Sequence, residues 1–331
     1  MVHAFELATV SVADVEEQLL PPMTALDSFQ IEVTTWCNFA CQQCLRTKSI
    51  AAGAWQSEHI PFERVQAIVA KLPATGVLQL QGIGEPTMHP QFVEMVRLAA
   101  ESGKFQSIYF TTNAHTHDDA YWRALGVYPV SVFLSVDSLD PTVAVRCRSG
   151  TDVQLLWHRL QLFREVFATA FTVSLVASRL NIDDIEQTLR RIATLGGVRV
   201  QITRMMSEEL IVLLNADDAQ RLDAIVKAVR RDYPEFQLYA GSVVSGKRCG
   251  APFLRPYARV DGFLTPCCVA VGGEHYGHTR IDDDRDWDAI RNDPRVVGWV
   301  RDFVNADPDI CLGCSLNPSR SKERFSSEIS S

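Results

Sequence analysis

The chain has no apolar run near the roughly 18 residues that a bilayer span requires, so no transmembrane segment is expected. Its first residues, MVHAFELATVSVADVEEQ, carry acids and no basic stretch ahead of an apolar one. That excludes a secretory signal on its pattern and makes the cytoplasm the expected location. Positive charge is in deficit: 32 basic residues face 40 acidic ones, for a net charge of −8. A phosphate backbone calls for the opposite balance, so nucleic acid is not an expected partner, and with no apolar span neither is a membrane. There is no P-loop, no GxGxxG fingerprint and no hydrolase triad. No repeat of fixed period occurs, and the one low-complexity tract is the Ser-rich tail at residues 317–331, expected to be flexible.

What is present is an ordinary globular composition of 331 residues, 47% hydrophobic and 22% charged, with nine cysteines. At roughly 150 residues per domain this length predicts about two domains, or one large one with an appendage. Nine cysteines without an export signal make a poor disulfide framework and a good metal framework.

From residue 30 the pattern alternates. Strand-like segments at 30–35, 77–81, 107–112, 130–136, 171–177 and 198–203 are separated by helix-like ones at 62–72, 92–100, 118–125, 153–166 and 183–195. Repeated βα units specify a parallel sheet with helices outside it. Six units are too few for a closed eight-stranded barrel, so the expected fold is α/β, a partial (β/α)6 barrel over residues 30–205. An N-terminal extension (1–29) precedes it. A connecting helical segment (206–245) follows, and then a Gly-, Pro- and Cys-rich module at 246–316.

Cys37, Cys41 and Cys44 form C-x3-C-x2-C directly after the first strand. In a parallel α/β fold the loops at the C-terminal strand ends form the active face. Three thiolates from one loop can hold three irons of a [4Fe–4S] cluster and leave the fourth open to a small molecule; the alternatives are a zinc loop or buried, unrelated cysteines.

This motif resembles the signature of the radical S-adenosylmethionine (SAM) superfamily, and later segments strengthen the resemblance. Gly84-Glu85-Pro86 is similar to the family's GGEP motif, which receives the SAM amino group, with Ile83 in place of the first glycine. Thr111-Thr112-Asn113 is similar to its threonine–asparagine turn, with Ala114 where glycine is common. Ser135 and Asp137 match the pattern that contacts the ribose and methionine moiety, and Arg146 or Arg148 resembles the arginine that pairs with the SAM carboxylate. The resemblance implies a radical SAM enzyme. Its open iron binds SAM, a low-potential donor such as flavodoxin or ferredoxin supplies one electron, and the 5′-deoxyadenosyl radical abstracts hydrogen from an unactivated C–H.

Five more cysteines lie in the C-terminal module. Cys249, Cys267 and Cys268, followed by Cys311 and Cys314, resemble the start of the family's SPASM module. The number suits its shortened twitch form, with a second [4Fe–4S] cluster on Cys249, Cys267, Cys311 and Cys314; a zinc ribbon is the alternative. Cys268, Cys249 and Cys147 are, in that order, candidate hydrogen-atom donors, because a thiol can return hydrogen to a carbon radical from the opposite face. The single-auxiliary-cluster layout most resembles aminoglycoside-pathway members such as neomycin C epimerase and 2-deoxy-scyllo-inosamine dehydrogenase. It implies an epimerase of an aminoglycoside-type sugar carbon. The alternatives are an alcohol dehydrogenase that passes an electron to the auxiliary cluster and a leader-independent peptide-modifying enzyme. Acidic runs at Glu208-Glu209 and Asp282-Asp283-Asp284 are compatible with a cationic substrate, and His115 or His117 is a candidate proton acceptor.

Overall fold

The computed structural model describes residues 9–10, 25–167, 171–205, 210–240, 248–249, 255–267 and 279–305. A short antiparallel pair joins β1 (Thr9–Val10) to β9 (Arg248–Cys249). The main sheet starts at β2 (Ala25–Ile31) and runs through parallel neighbours in chain order. These are β3 (Ala74–Leu80), β4 (Phe105–Thr112), β5 (Val130–Ser135), β6 (Phe171–Ala177), β7 (Arg199–Arg204) and β8 (Gln237–Ala240).

Helices cross between these strands. In order they are α1 (Leu45–Ala51), α2 (Phe62–Lys71), α3 (Phe92–Glu101), α4 (Asp119–Leu125), α5 (Pro141–Cys147), α6 (Val153–Val166), α7 (Ile185–Ala193) and α8 (Ala216–Asp232). Short polar side chains start several of them by accepting the orphan N–H groups of the first turn. Asp118, Asp140 and Asp152 cap α4, α5 and α6, and Asn215 forms a capping box with Asp218 on α8.

Period-two alternation along the strands divides the sheet into two faces. Phe29, Ile31, Leu78, Leu80, Phe110 and Val132 are fully buried against the helices. The intervening positions turn to the inner, concave face and are largely polar: Gln30, Gln79, Tyr109, Ser135, Ser174 and Gln201 occupy them, with Val77, Phe133 and Val176 as apolar exceptions. A run of parallel strands also brings all their C-terminal ends to one edge, where the loops carrying the candidate motifs emerge.

The α/β fold with a parallel sheet agrees with expectation, and two differences extend it. Residues 206–245 do more than connect, because β8 adds a seventh parallel strand beside β7. The described part of the 246–316 segment continues the same sheet past its other edge. There β10 (Tyr257–Ala258) pairs parallel with β2, and β11 (Phe263–Thr265) and β12 (Thr279–Arg280) follow antiparallel. Helices α9 (Trp287–Arg291) and α10 (Pro294–Asn305) close the described chain. The first strand also begins and ends earlier than residues 30–35. Beyond Ile31, Thr34 and Thr35 bond instead to the 56–59 segment, Thr34 Oγ1 donating to Glu58 O at 3.1 Å.

Ion pairs and a lysine fix the C-terminal strands to the barrel. Arg64 on α2 reaches Asp282 at 2.6 Å and donates to Val260 O at 2.7 Å, and Lys71 donates to Ile281 O at 2.7 Å. The acidic run is thereby used. Asp282 pairs with Arg64 and Arg280, and Asp283 pairs with Arg285. Two of its three carboxylates are therefore neutralised in place, which removes them from any role in attracting a cationic substrate. Glu208-Glu209 lies outside the described residues.

Candidate active site at the C-terminal strand edge

The cysteine loop leaves β2 and ends at Cys44, the residue that precedes α1. Cys37, Cys41 and Cys44 are all partly exposed on it. Two side chains shape this loop. Arg46 is buried and clasps it from beneath, Nε donating to Thr35 O at 2.8 Å and Nη1 to Phe39 O at 3.3 Å. Asn38 exchanges amide hydrogen bonds with Asn113, at 2.8 and 3.4 Å, and so ties the loop to the end of β4. Phe39 N–H points at Cys37 Sγ, 3.4 Å away.

The Gly84-Glu85 turn lies directly against this loop. Glu85 N–H donates to Trp36 O at 2.7 Å, and a Cβ at Gly84 would stand 2.3 Å from that same oxygen. Only glycine permits the approach. The Glu85 carboxylate is buried and turned inward. Oε1 accepts Thr87 Oγ1–H at 2.7 Å and Thr112 Oγ1–H at 2.6 Å, and Oε2 accepts Asn113 N–H at 2.8 Å. Burial pushes this carboxyl above its ordinary range, and the Thr112, Asn113 and Thr87 hydrogen bonds pull against that. The side chains of Glu85 and Thr112 thus brace two adjacent strand ends, and it is the backbone of the turn that faces the cysteine loop. Ala114 takes a left-handed φ of 56°, the conformation for which glycine is common at this place in the resembling family.

At the end of β5, Ser135 is buried on the inner face opposite Ser174, and Asp137 lies two residues on. Asp137 Oδ2 accepts Arg148 Nε–H at 2.7 Å, and Oδ1 accepts Val176 N–H at 2.8 Å. Asn181 donates to Asp137 O at 2.8 Å. Arg148 lies close enough to Cys41 for its charge to stabilise that thiolate. Burial opposes the Arg148 charge, but Asp137 and Cys41 outweigh it and hold the guanidinium protonated. Among the described residues its Nη groups make no hydrogen bond. The alternatives separate here: Arg146 donates to the Leu180 carbonyl, while Arg148 sits beside Cys41. The next residues complete the fit. Ser149 Oγ accepts Ala40 N–H at 3.2 Å, and Gly150, at φ +94°, lies where a Cβ would be 2.8 Å from the Phe39 ring.

His115 and His117 are committed elsewhere. His115 Nδ1 meets Asn113 O at 2.6 Å, and His117 Nε2 meets Thr87 O at 2.6 Å while its ring stacks on Tyr121. Cys147 is buried as the last residue of α5, and its thiol is pushed up to about 12 by burial and by Asp137. Of the second cysteine set, Cys267 is described and partly exposed just beyond β11. Cys249 has only its backbone described, paired with Thr9, and Cys268, Cys311 and Cys314 lie outside the described residues.

The donor set suits an iron–sulfur cluster bearing net negative charge. Three partly exposed thiols stand together, one of them receives a backbone N–H, and two cationic side chains, the buried Arg46 and the half-buried Arg148, flank them. Burial pushes the Cys37 thiol up to about 11 and raises Cys41 as well, so iron binding must displace protons. The model of the radical SAM superfamily matches residues 31–192, the segment from the end of β2 to α7.

Residues 31–192 belong to the radical SAM superfamily.

The chain is also 30% identical over 115 residues to a GTP 3′,8-cyclase of Cronobacter sakazakii (strain ATCC BAA-894). That stretch is 34% of this chain and 34% of the relative, so the alignment spans about a third of the curated protein. Among solved structures, Streptococcus suis SuiB bound to S-adenosylmethionine matches with a TM-score of 0.69 at 14% identity, over 92% of this chain and 73% of that one. Native anSMEcpe with bound AdoMet matches with a TM-score of 0.67 at 16% identity, over 88% and 87%. At these identities the likeness is one of fold.

Sequence reasoning located the motif residues but missed those that hold them together: Asn38, Arg46, Ser149, Gly150 and Asn181. Gly150 carried a signal, since an Arg-Ser-Gly turn after a capped helix marks a tight approach. Asn38 and Arg46 lie inside the motif as spacer and flank, and only the folded contact gives them a role.

Proposed function

We propose that this chain is a radical SAM enzyme acting on a small polar substrate held on the inner face of the barrel. The observation that carries this reading is the convergence, on one strand edge, of three partly exposed thiols, the Arg148 guanidinium and the backbone of the Gly84-Glu85 turn. In this reading Cys37, Cys41 and Cys44 hold a [4Fe–4S] cluster, and Arg148 offers its Nη groups to the SAM carboxylate. The Gly84-Glu85 backbone lies where the amino group would bind, and Ser135 is on the inner face near the ribose. When bound and given one electron by a low-potential donor, cluster and SAM would supply a 5′-deoxyadenosyl radical able to take a hydrogen atom from substrate, with methionine as the other product.

What the chain itself contributes is positioning. Asp137 orients Arg148 through one oxygen and is locked by Val176 N–H through the other, so the fork is set before any ligand arrives. The inner face offers carboxamides and hydroxyls, from Gln30, Gln79, Gln81, Tyr109 and Gln201, in place of carboxylates. Gln81 Oε1 is buried and has no hydrogen-bond partner among the described residues, an acceptor that a substrate O–H or N–H would satisfy. These groups favour a hydroxyl-bearing, uncharged region of substrate at this depth. The finer reading is epimerisation of a sugar-type carbon, with a thiol returning hydrogen from the opposite face. Cys147, buried at the end of α5, does not suit that task, which leaves Cys268 and then Cys249. The remaining module cysteines would hold the auxiliary cluster.

Anaerobically reconstituted and reduced protein should form 5′-deoxyadenosine and methionine in equal amounts. With substrate in deuterium oxide, one deuterium on an inverted carbon supports epimerisation. A ketone without solvent deuterium replaces it with dehydrogenation.

A further inference from the structure

Glu32 is an acid in an unexpected place. It follows β2 by one residue, is only 3% exposed, and takes no part in the cysteine loop. Leaving a carboxylate buried costs several kcal/mol unless its oxygens are satisfied, and the partners that satisfy it come from two separate parts of the chain. Oε1 accepts Ile83 N–H at 3.2 Å, one residue before the Gly84-Glu85 turn. Oε2 accepts Val260 N–H at 3.2 Å, in the turn between β10 and β11. The Tyr257 side chain on β10 and the Arg259 charge both favour the ionised form. The fit is close on the barrel side: a Cβ at Gly82 would stand 2.3 Å from Glu32 Cγ. On the module side, Glu32 N–H donates to Ala258 O at 2.8 Å, and Val260 O is held in turn by Arg64.

We propose that Glu32 is a positioning residue that couples the Gly82–Glu85 turn to the β10–β11 hairpin of the C-terminal module, so that ordering either one orders the other. The hairpin leads directly to Cys267, and the turn leads to the backbone proposed to meet the SAM amino group. Two oxygens of one rigid carboxylate fix the distance between the two peptide N–H groups. A coupling of this kind is reciprocal by thermodynamic necessity: binding at the turn tightens the hairpin, and order in the hairpin tightens the turn. The consequence for SAM rests on the radical SAM reading; the mechanical coupling does not.

The test is amide hydrogen exchange on the full chain, resolved at Ile83 and Val260, for the parent, Glu32→Ala, Glu32→Gln and Tyr257→Phe, paired with equilibrium SAM binding to the reconstituted proteins. Glu32→Ala should speed exchange at both amides by about tenfold or more, as the loss of hydrogen bonds to a charged acceptor predicts. Glu32→Gln retains one acceptor oxygen and should speed exchange at one of the two. Tyr257→Phe alters only the module side, so faster exchange at Ile83 and a severalfold weaker SAM affinity in this variant are effects that a local brace would not produce. If Glu32→Ala does not fold, Tyr257→Phe decides alone. Exchange changes confined to Val260, with Ile83 and SAM affinity unmoved in Tyr257→Phe, overturn the proposal. A parent protein that binds no SAM overturns the radical SAM reading while the exchange comparison still tests the coupling.

Discussion

Arg148 donates from Nε to Asp137 Oδ2 at 2.7 Å, which leaves both Nη groups for a second anion beside Cys41. One guanidinium can serve two carboxylates because its donors form a rigid fork; an ammonium is a single point charge. Arg148→Lys should therefore weaken SAM binding by about tenfold or more while keeping the local charge. Arg146→Ala, which loses only a contact to the Leu180 carbonyl, should change it less than about twofold. Isothermal titration of the reconstituted variants checks both. Equal losses would remove the distinction between the two arginines.

Gly84→Ala forces a Cβ to within 2.3 Å of Trp36 O, a backbone atom next to Cys37. The turn must retreat and break the Glu85 N–H bond to that oxygen. We expect a loss of about 1–3 kcal/mol, the usual cost of overpacking, and reduced iron content after reconstitution. Thermal unfolding of the metal-free chain and iron analysis measure the two effects separately.

Ala114 carries a different balance. Glycine would relieve a left-handed strain of about 1–2 kcal/mol but forfeit a buried methyl worth about 0.8 kcal/mol and gain unfolded-state entropy worth about 0.4–1 kcal/mol. Ala114→Gly should thus shift stability by less than about 1 kcal/mol. Ala114→Val, β-branched at φ 56° and fully buried, should cost about 2 kcal/mol or more. Differential scanning fluorimetry separates these outcomes.

This residue also shows how far the sequence was legible. The strand alternation and the order of the loop motifs were sufficient for the α/β fold and for placing Cys37, Gly84, Asn113 and Asp137 on one edge. The departure at Ala114 was visible too, but not that the turn keeps its left-handed backbone without glycine. The role of the Glu85 carboxylate was not legible. Its motif pointed toward a ligand, whereas its oxygens bond Thr87, Thr112 and Asn113. The place of β10–β12 was hidden for a different reason: strands of two or three residues leave too little periodicity to read.

Stability should depend on pH in two opposed ways. Burial raises Glu85 and Glu32 above their ordinary 4.5, so their contribution is fully present below that value and is lost as pH rises through the higher folded values. Arg285 holds Asp283 below its ordinary 3.8, and Arg295 and Arg285 do the same for Asp293. Their contribution is present above that value and is lost as pH falls through the lower folded ones. The metal-free chain should therefore unfold at its highest temperature in mildly acidic solution. Glu85→Gln should flatten the decline on the alkaline side, as unfolding scans across pH would register. A decline of unchanged slope in Glu85→Gln would exclude Glu85 as its source.

The central claim is that Cys37, Cys41 and Cys44 present an open iron to SAM. Its most direct measurement is the low-temperature electron paramagnetic resonance spectrum of the reduced, reconstituted Cys267→Ala protein with and without SAM, alongside 5′-deoxyadenosine formation. The account predicts a cluster signal that shifts on SAM addition, and both signal shift and deoxyadenosine lost in Cys41→Ala. A reduced cluster whose spectrum is indifferent to SAM, with no deoxyadenosine formed, would contradict it.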